Sequence, residues 1–397
     1  MKPNYRKTMY ACFIGYIVQA IVNNFAPLLF VTFQKSYAVP LSKITLLITI
    51  NFLIQLIVDF VSANLVDKIG YRISIAAAHI CAALGLILLA FLPDLCKDPF
   101  LGLLIAVFFY AVGGGLLEVL VSPIIENCPT DNKESAMSLL HSFYCWGQVG
   151  VVLLSTLFFT LFGITNWRIL ALCWALVPIC NLILFQTAPL YCPDPEQGTR
   201  YSLRTLFANR LFWVLLLMML CAGASEQSVS QWASAFAEKG LGVSKTVGDL
   251  AGPMAFAALM GISRTIYGKF GSRINLDRFM QISCLLCIAS YLWIALIPSP
   301  VVGLFGCALC GFSVGIMWPG SFSRASAAMQ GGSTAMFAYL ALAGDLGCSV
   351  GPSFSGFVSS LCGDNLRLGT LAAIIFPILM FVSLLVCTLL CQKQKAK

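Results

Sequence analysis

The chain has 397 residues, of which 59% are hydrophobic and only 10% charged, where a soluble domain carries about a quarter charged residues. Too little polar side chain remains to coat water-soluble domains, so lipid must serve as the solvent. The net charge of +8 comes without a basic stripe or an aromatic-interleaved basic patch, and no nucleic-acid partner is expected. With roughly 30 to 35 residues consumed by each span and its connection, a chain of this length holds about twelve spans and no sizeable soluble domain.

Met1–Lys7 is basic and precedes an apolar run that is too long for a signal peptide and lacks a small-residue cleavage site, so it is read as a retained first span. Apolar runs then predict helices over 9–34, 43–66, 73–93, 100–126, 136–163, 167–189, 211–237, 246–268, 276–297, 300–323, 333–361 and 366–391. In helix 1, Gln19 and Asn23 stack at i, i+4 beneath Pro27, which can break the helix where a cavity re-satisfies the backbone. Asp67, Lys68 and Arg72 form a charged turn after helix 2; helix 4 carries Glu118, and helix 5 carries His141, Trp146 and Gln148. The only long polar connection is 191–210, which separates an N-terminal bundle, 1–190, from a C-terminal one, 211–397. Helix 7 contains SEQSVSQ, in which Glu226 precedes Gln227 and Gln231; Trp318 lies in helix 10 and Asp345 in helix 11. Most of the 17 cysteines fall inside apolar runs, as Cys81 and Cys284 do, and read as packing residues. No Cys/His set has zinc spacing, and no cofactor, phosphate-loop or nucleophile motif occurs, so neither a metal, a cofactor nor an enzyme is expected.

Charge and periodicity then fix the organisation. Seventeen of the 24 Lys and Arg residues fall on the side of the two basic termini, which makes both termini cytoplasmic and the span count even. VDKIGYRI from Val66 returns as YGKFGSRI from Tyr267, and Gly147, Gln148 and Gly150 return as Gly344, Asp345 and Gly347. Gly115 stands eight before Pro123 as Gly311 stands eight before Pro319. Matches in chain order at nearly one offset indicate two parallel six-helix repeats.

Twelve spans in a six-plus-six arrangement with a basic central loop resemble the major facilitator superfamily of secondary transporters. The turn Ala63, Asp67, Lys68, Gly70, Arg72 is similar to that superfamily's loop 2–3 motif, with Ala63 where the family prefers Gly. The resemblance implies a gate at Asp67, Lys68 and Arg72; the second repeat has Gly268 in place of the acid. GGGLLEVLVSP in helix 4 and IMWPGSF in helix 10 resemble segments of the fucose:proton symporter branch, with Glu118 on that branch's carboxylate and Ser122 in place of its Asn. The branch's helix 1 acid is absent, and Asn23 and Asn24 occupy that region.

An ionisable side chain within a span costs about 2.5 to 3.5 kcal/mol at the bilayer centre, so it marks function by default. Glu118, Glu226, Asp345 and His141 lie away from helix ends, and Glu226 and Asn23 occupy equivalent depths in their repeats. A carboxylate taken into low dielectric holds its proton more readily, which is the requirement for proton coupling. Asp59 and Asp249 are read as structural helix-end residues, and His79 as a packed one. The expected protein is therefore an all-α, multi-pass transporter in the cell membrane, working as a monomer by alternating access. It moves a small polar, sugar-like solute with a proton, sodium being the alternative ion. The substrate or the coupling ion engages Asn23, Asn24, Glu118, His141, Trp146, Glu226, Gln227, Gln231, Trp318 and Asp345. The alternative on the same fold is an exporter of amphipathic compounds, which would line its cavity with Phe, Met and aliphatic residues.

Overall fold

A computed structural model describes residues 5–128, 133–190, 203–270, 274–329 and 334–395. Apart from a short helix at Leu203–Ala208, the described chain follows the expected order of spans. These are α1 (Arg6–Tyr37), α2 (Leu41–Ile69), α3 (Tyr71–Leu95), α4 (Pro99–Asn127), α5 (Lys133–Phe162), α6 (Trp167–Thr187), α7 (Arg210–Gly240) and α8 (Lys245–Tyr267). The rest are α9 (Leu276–Leu296), α10 (Pro300–Ala325), α11 (Thr334–Leu361) and α12 (Leu366–Gln392). Among the described residues, eleven helices are long and apolar enough to cross a membrane. The twelfth expected span, 333–361, is the 28-residue α11, whose length of about 42 Å at 1.5 Å per residue suffices for a crossing.

Polar side chains mark where helices start. Asp98, Asn209, Ser244, Asn275 and Asn365 each accept a hydrogen bond from a first-turn backbone N–H of α4, α7, α8, α9 and α12, satisfying donors the helix itself leaves unpaired. The α2–α3 turn reverses at Gly70, whose φ of +91° suits a residue without a Cβ.

The chain forms two compact units, one of 1–194 with 244–250 and the other of 195–243 with 251–397. In the first, α1 packs on α4 and α5, α2 on α4, and α3 on α4 and α6. In the second, α7 packs on α11, α8 on α10, and α9 on α10 and α12. The pairs α1·α5, α2·α4, α3·α4 and α3·α6 thus recur six helices later, which gives the internal repeat a structural form. One fastening recurs as well. At the start of α6, Arg168 Nη2 pairs with Asp94 Oδ2 at 2.8 Å at the end of α3, and donates to Tyr37 Oη at 2.8 Å at the end of α1. At the start of α12, Arg367 donates to the Ile297 carbonyl after α9 at 2.8 Å and to the Gly240 carbonyl of α7 at 3.4 Å.

Three of the interrupted helices, α1, α7 and α10, bear on the polar residues. In α1 the α-helix stops at Asn24 and a 3-10 turn, Ala26–Leu29, carries Pro27, as the sequence leads one to expect. α7 breaks after Ser230, and α10 breaks between Val314 and Met317. A break releases carbonyls, and cations meet two of them: Lys245 Nζ donates to Leu28 O at 2.6 Å, and Arg264 Nε to Gly315 O at 3.3 Å.

Candidate functional site

In the first unit, polar side chains gather just before the α1 break. Asn23 is 5% exposed, and its Oδ1 accepts from Gln55 Nε2 at 2.8 Å and from Asn51 Nδ2 at 3.4 Å, both from α2. One turn earlier, Gln19 Nε2 donates to Glu118 Oε2 on α4 at 2.7 Å. Tyr16 Oη lies 3.0 Å from Ser122 Oγ, one turn beyond Glu118. Ridge contacts from α1 to α2 and α4 are therefore polar along three successive turns, an arrangement lipid would not tolerate. Asp59 joins this group: its carboxylate oxygens and those of Glu118 approach within 4.8 Å. Two ionised carboxylates at that separation repel by about 3 kcal/mol at an effective dielectric near 20, and one proton bound between them removes the repulsion.

In the second unit the equivalent stretch of α7 is buried throughout. Glu226, Gln227 and Gln231 are 7%, 5% and 3% exposed. Gln231 Nε2 donates to Gln227 Oε1 at 3.0 Å, and Gln227 Nε2 to Glu226 Oε1 at 3.2 Å, so the three side chains form one directed chain. It ends on a cation. Arg264 of α8 brings Nη2 to 3.4 Å from Glu226 Oε2. Trp318 of α10 lies against Gly344 of α11, where a Cβ would collide with its ring. Asp345, the next residue, is half-buried.

This geometry, an all-helical chain of membrane-length spans whose helix-pairing pattern repeats after six helices with a polar layer in each repeat, is joined by a match over nearly the whole sequence. The sequence profile of the Major Facilitator Superfamily matches residues 11–352. The chain belongs to the major facilitator superfamily. Membership makes it a multi-pass membrane transporter and not an enzyme. Solved structures carry the same superfamily fold. A bacterial homologue of the human lysosomal transporter Spinster, inward-facing and unoccupied, superposes with a TM-score of 0.80 at 16% identity, covering 99% of this chain and 98% of that one. The same homologue, inward-facing and occupied, gives 0.74 at 16% identity over 98% of each chain. The E. coli fucose:proton symporter gives 0.65 at 16% identity, covering 96% of this chain and 98% of that one. No curated protein sequence matches the chain.

Within the superfamily fold the candidate residues divide. Asn23 and Glu118 share the first polar layer; Glu226, Gln227 and Gln231 form the second. Asn24 instead donates from Nδ2 to the Ala20 carbonyl at 2.9 Å, a bond within its own helix. His141 is exposed and meets the Tyr16 ring edge-on at 5.5 Å. Trp146, on the same helix, is 48% exposed. Of the charged turn, the side chains of Asp67 and Lys68 lie outside the described residues. Arg72 donates to the carbonyls of Phe185, Gln186 and Ala188 at 2.8 to 3.0 Å, closing the C-terminal end of α6. His79 is packed, as expected: Nδ1 faces the Ile75 carbonyl and must donate, so Nε2 accepts from Asn181.

Two residues escaped the sequence reading. Asp59 is not a helix-end residue but lies ten positions inside α2, beside Glu118. Arg264, one of the seventeen basic residues on the side of the two termini, turns inward to Glu226 from within α8. A signal existed for it, since helical backbone continues six residues beyond it to Phe270, past the apolar span that ends at Tyr267, which sets it further inside than a topological charge needs to be.

Proposed function

We propose that this superfamily member is a secondary active transporter of a small polar, sugar-like solute, coupled to protons and working by alternating access. The observation that carries the reading is the pair of polar layers, each built around a carboxylate that accepts a hydrogen bond from a glutamine side chain: Glu118 with Gln19, and Glu226 with Gln227. Amide donors and acceptors suit a hydroxylated solute, whereas an exporter of amphipathic compounds calls for an aromatic and aliphatic lining. The fold shared with a fucose:proton symporter supports the solute class and the ion. On this reading Glu118, Glu226 and Asp345 take up and release the proton, and Asn23, Gln227, Gln231, His141, Trp146 and Trp318 contact the solute. Asp67, Lys68 and Arg72 act at the cytoplasmic gate. The chain works as a monomer in the cell membrane with both termini cytoplasmic.

The test is flux. Purified protein in proteoliposomes should accumulate a labelled polar solute when an inward proton gradient is imposed, and should lose that accumulation when an ionophore collapses the gradient. Accumulation that follows a sodium gradient at constant pH would overturn the proton assignment. Binding confined to hydrophobic cations would overturn the solute class.

A further inference from the structure

Arg264 has no place in the reading above, and its setting is specific. Its guanidinium lies within a membrane-spanning helix, with the side chain 18% exposed, and its described contacts include two groups of different character. Nη2 faces Glu226 Oε2 at 3.4 Å, and Nε faces the Gly315 carbonyl at 3.3 Å, where the break in α10 releases it. Beside that carbonyl Ser263 is fully buried, and its Oγ has no hydrogen-bond partner among the described residues. A Cβ placed on Gly315 would stand 3.0 Å from this hydroxyl, so the hydroxyl faces the same break. The planar guanidinium fork is the side chain best shaped to grip a carboxylate. Here it grips the protein's own, at a distance longer than a tight charge-assisted bond.

We infer that Arg264 binds the carboxylate of an anionic solute, a small hydroxylated monocarboxylate, and that Glu226 is the counter-ion this solute displaces. The inference deepens the transporter reading and rests on it. Charge bookkeeping supplies the coupling. In the empty site Arg264 and Glu226 neutralise each other. When a monocarboxylate takes the guanidinium, Glu226 is left charged in a span, which is costly until a proton from the accessible side binds one of its carboxylate oxygens. The loaded site is then neutral again: guanidinium with bound anion, and a protonated Glu226. When the solute leaves on the other side, Glu226 releases that proton and returns to Arg264. One anion and one proton move together, no covalent bond changes, and the site carries no net charge when either state reorients.

The neighbours of Glu226 fit this exchange. Gln227 donates to its other oxygen. Tyr291 of α9 is turned away, donating to the Ser225 carbonyl at 2.8 Å. Cys310 of α10, fully buried, is the near titratable group on that helix, and Asp345 is the acid on α11, which packs along α7. Among the described residues, Arg264 is the cation that faces Glu226.

The test uses the full-length protein and two matched panels: gluconate, glucuronate and glycerate, against glucose, sorbitol and glycerol. The carboxylates should raise the melting temperature of the purified protein, and each binding event should withdraw about one proton from a lightly buffered solution containing a pH dye. Arg264→Gln should abolish the carboxylate shift. Glu226→Gln should tighten carboxylate binding about tenfold and end proton uptake, because the competing carboxylate is gone; a misfolded variant cannot produce that gain. Arg264→Lys, which keeps the charge without the fork, should bind more weakly than the native chain. The inference is overturned if no carboxylate binds, if carboxylates bind Arg264→Gln unchanged, or if Glu226→Gln binds them more weakly. Proton-driven uptake of the neutral panel by Arg264→Gln at the native rate would sink this inference and leave the transporter reading standing. Absence of flux for both panels in proteoliposomes would remove both.

Discussion

The two repeats solve one problem with different chemistry. Each must keep a carboxylate inside an apolar bundle. The first surrounds Glu118 with neutral side chains from α1 and a second acid, Asp59, from α2; the second sets an arginine from α8 against Glu226. A pair of acids holds net charge that varies with proton occupancy, whereas an ion pair is neutral until something competes for one member. On the proposed reading, the first arrangement would respond to protons directly, and the second only when its partner is engaged elsewhere.

The largest expected effect tests packing at equivalent positions. Gly347 of α11 lies so near the Leu220 carbonyl of α7 that a Cβ has no room, while its counterpart Gly150 of α5 has nothing within 4 Å of an added Cβ. Gly347→Ala should cost about 3 kcal/mol or more through forced helix separation, seen as a lowered melting temperature in detergent. Gly150→Ala should leave the melting temperature unchanged or raise it, because alanine favours helix by up to about 1 kcal/mol. Equal effects at the two sites would show that the repeats pack alike here.

Next come the acids. Glu226→Gln or Asp345→Asn should abolish proton-driven accumulation while solute exchange across the membrane persists, since exchange needs no net proton movement. Glu118→Gln should also weaken solute binding, read as a raised Kd, because its charge-assisted bond with Gln19 is reduced to a neutral one. Uphill uptake that survives both C-terminal substitutions with unchanged pH dependence would assign coupling to the first repeat alone. A smaller change is expected from Asp67→Asn, which should shift the balance of inward-open and outward-open states in cysteine-accessibility labelling without altering solute affinity.

The smallest effect concerns the recurring fastening. Arg168 and Asp94 have side chains 37% and 48% exposed, and an exposed pair contributes about 0.2 to 1 kcal/mol. Arg168→Ala should therefore lower the melting temperature only slightly, and high salt should weaken the native contact. Arg367, which holds backbone carbonyls instead of a carboxylate, should show less salt dependence.

Much of this was legible in the sequence because lipid imposes a blunt rule. A span needs about 20 apolar residues, and the breaks between such runs locate the helices to within a few positions. Pro27 announced the α1 interruption through its missing N–H. The breaks after Ser230 and Val314 carry no proline at the break itself and left no such mark. Side-chain direction was harder to read. Asn23 and Asn24 are adjacent and chemically identical, yet one joins α2 and the other turns back on Ala20. A basic residue near the cytoplasmic end of a span satisfies the topology rule whether it points to water or inward, so Arg264 was hidden by a count it satisfied equally well. Asp59 required knowing that α2 continues to Ile69, beyond its apolar run.

The glycines of α11 have a mechanical consequence. Gly344, Gly347 and Gly351 all sit where a Cβ would strike a neighbour: the ring of Trp318, and the backbone of Leu220 and Ala224 on α7. At these glycines backbone meets backbone, and only small side chains such as Cys348 and Ser228 lie between α7 and α11. They form a single stiff plank that carries Glu226 on one helix and Asp345 on the other. A tilt of one of these helices would therefore carry the other with it, and the two carboxylates would ride as points on one lever.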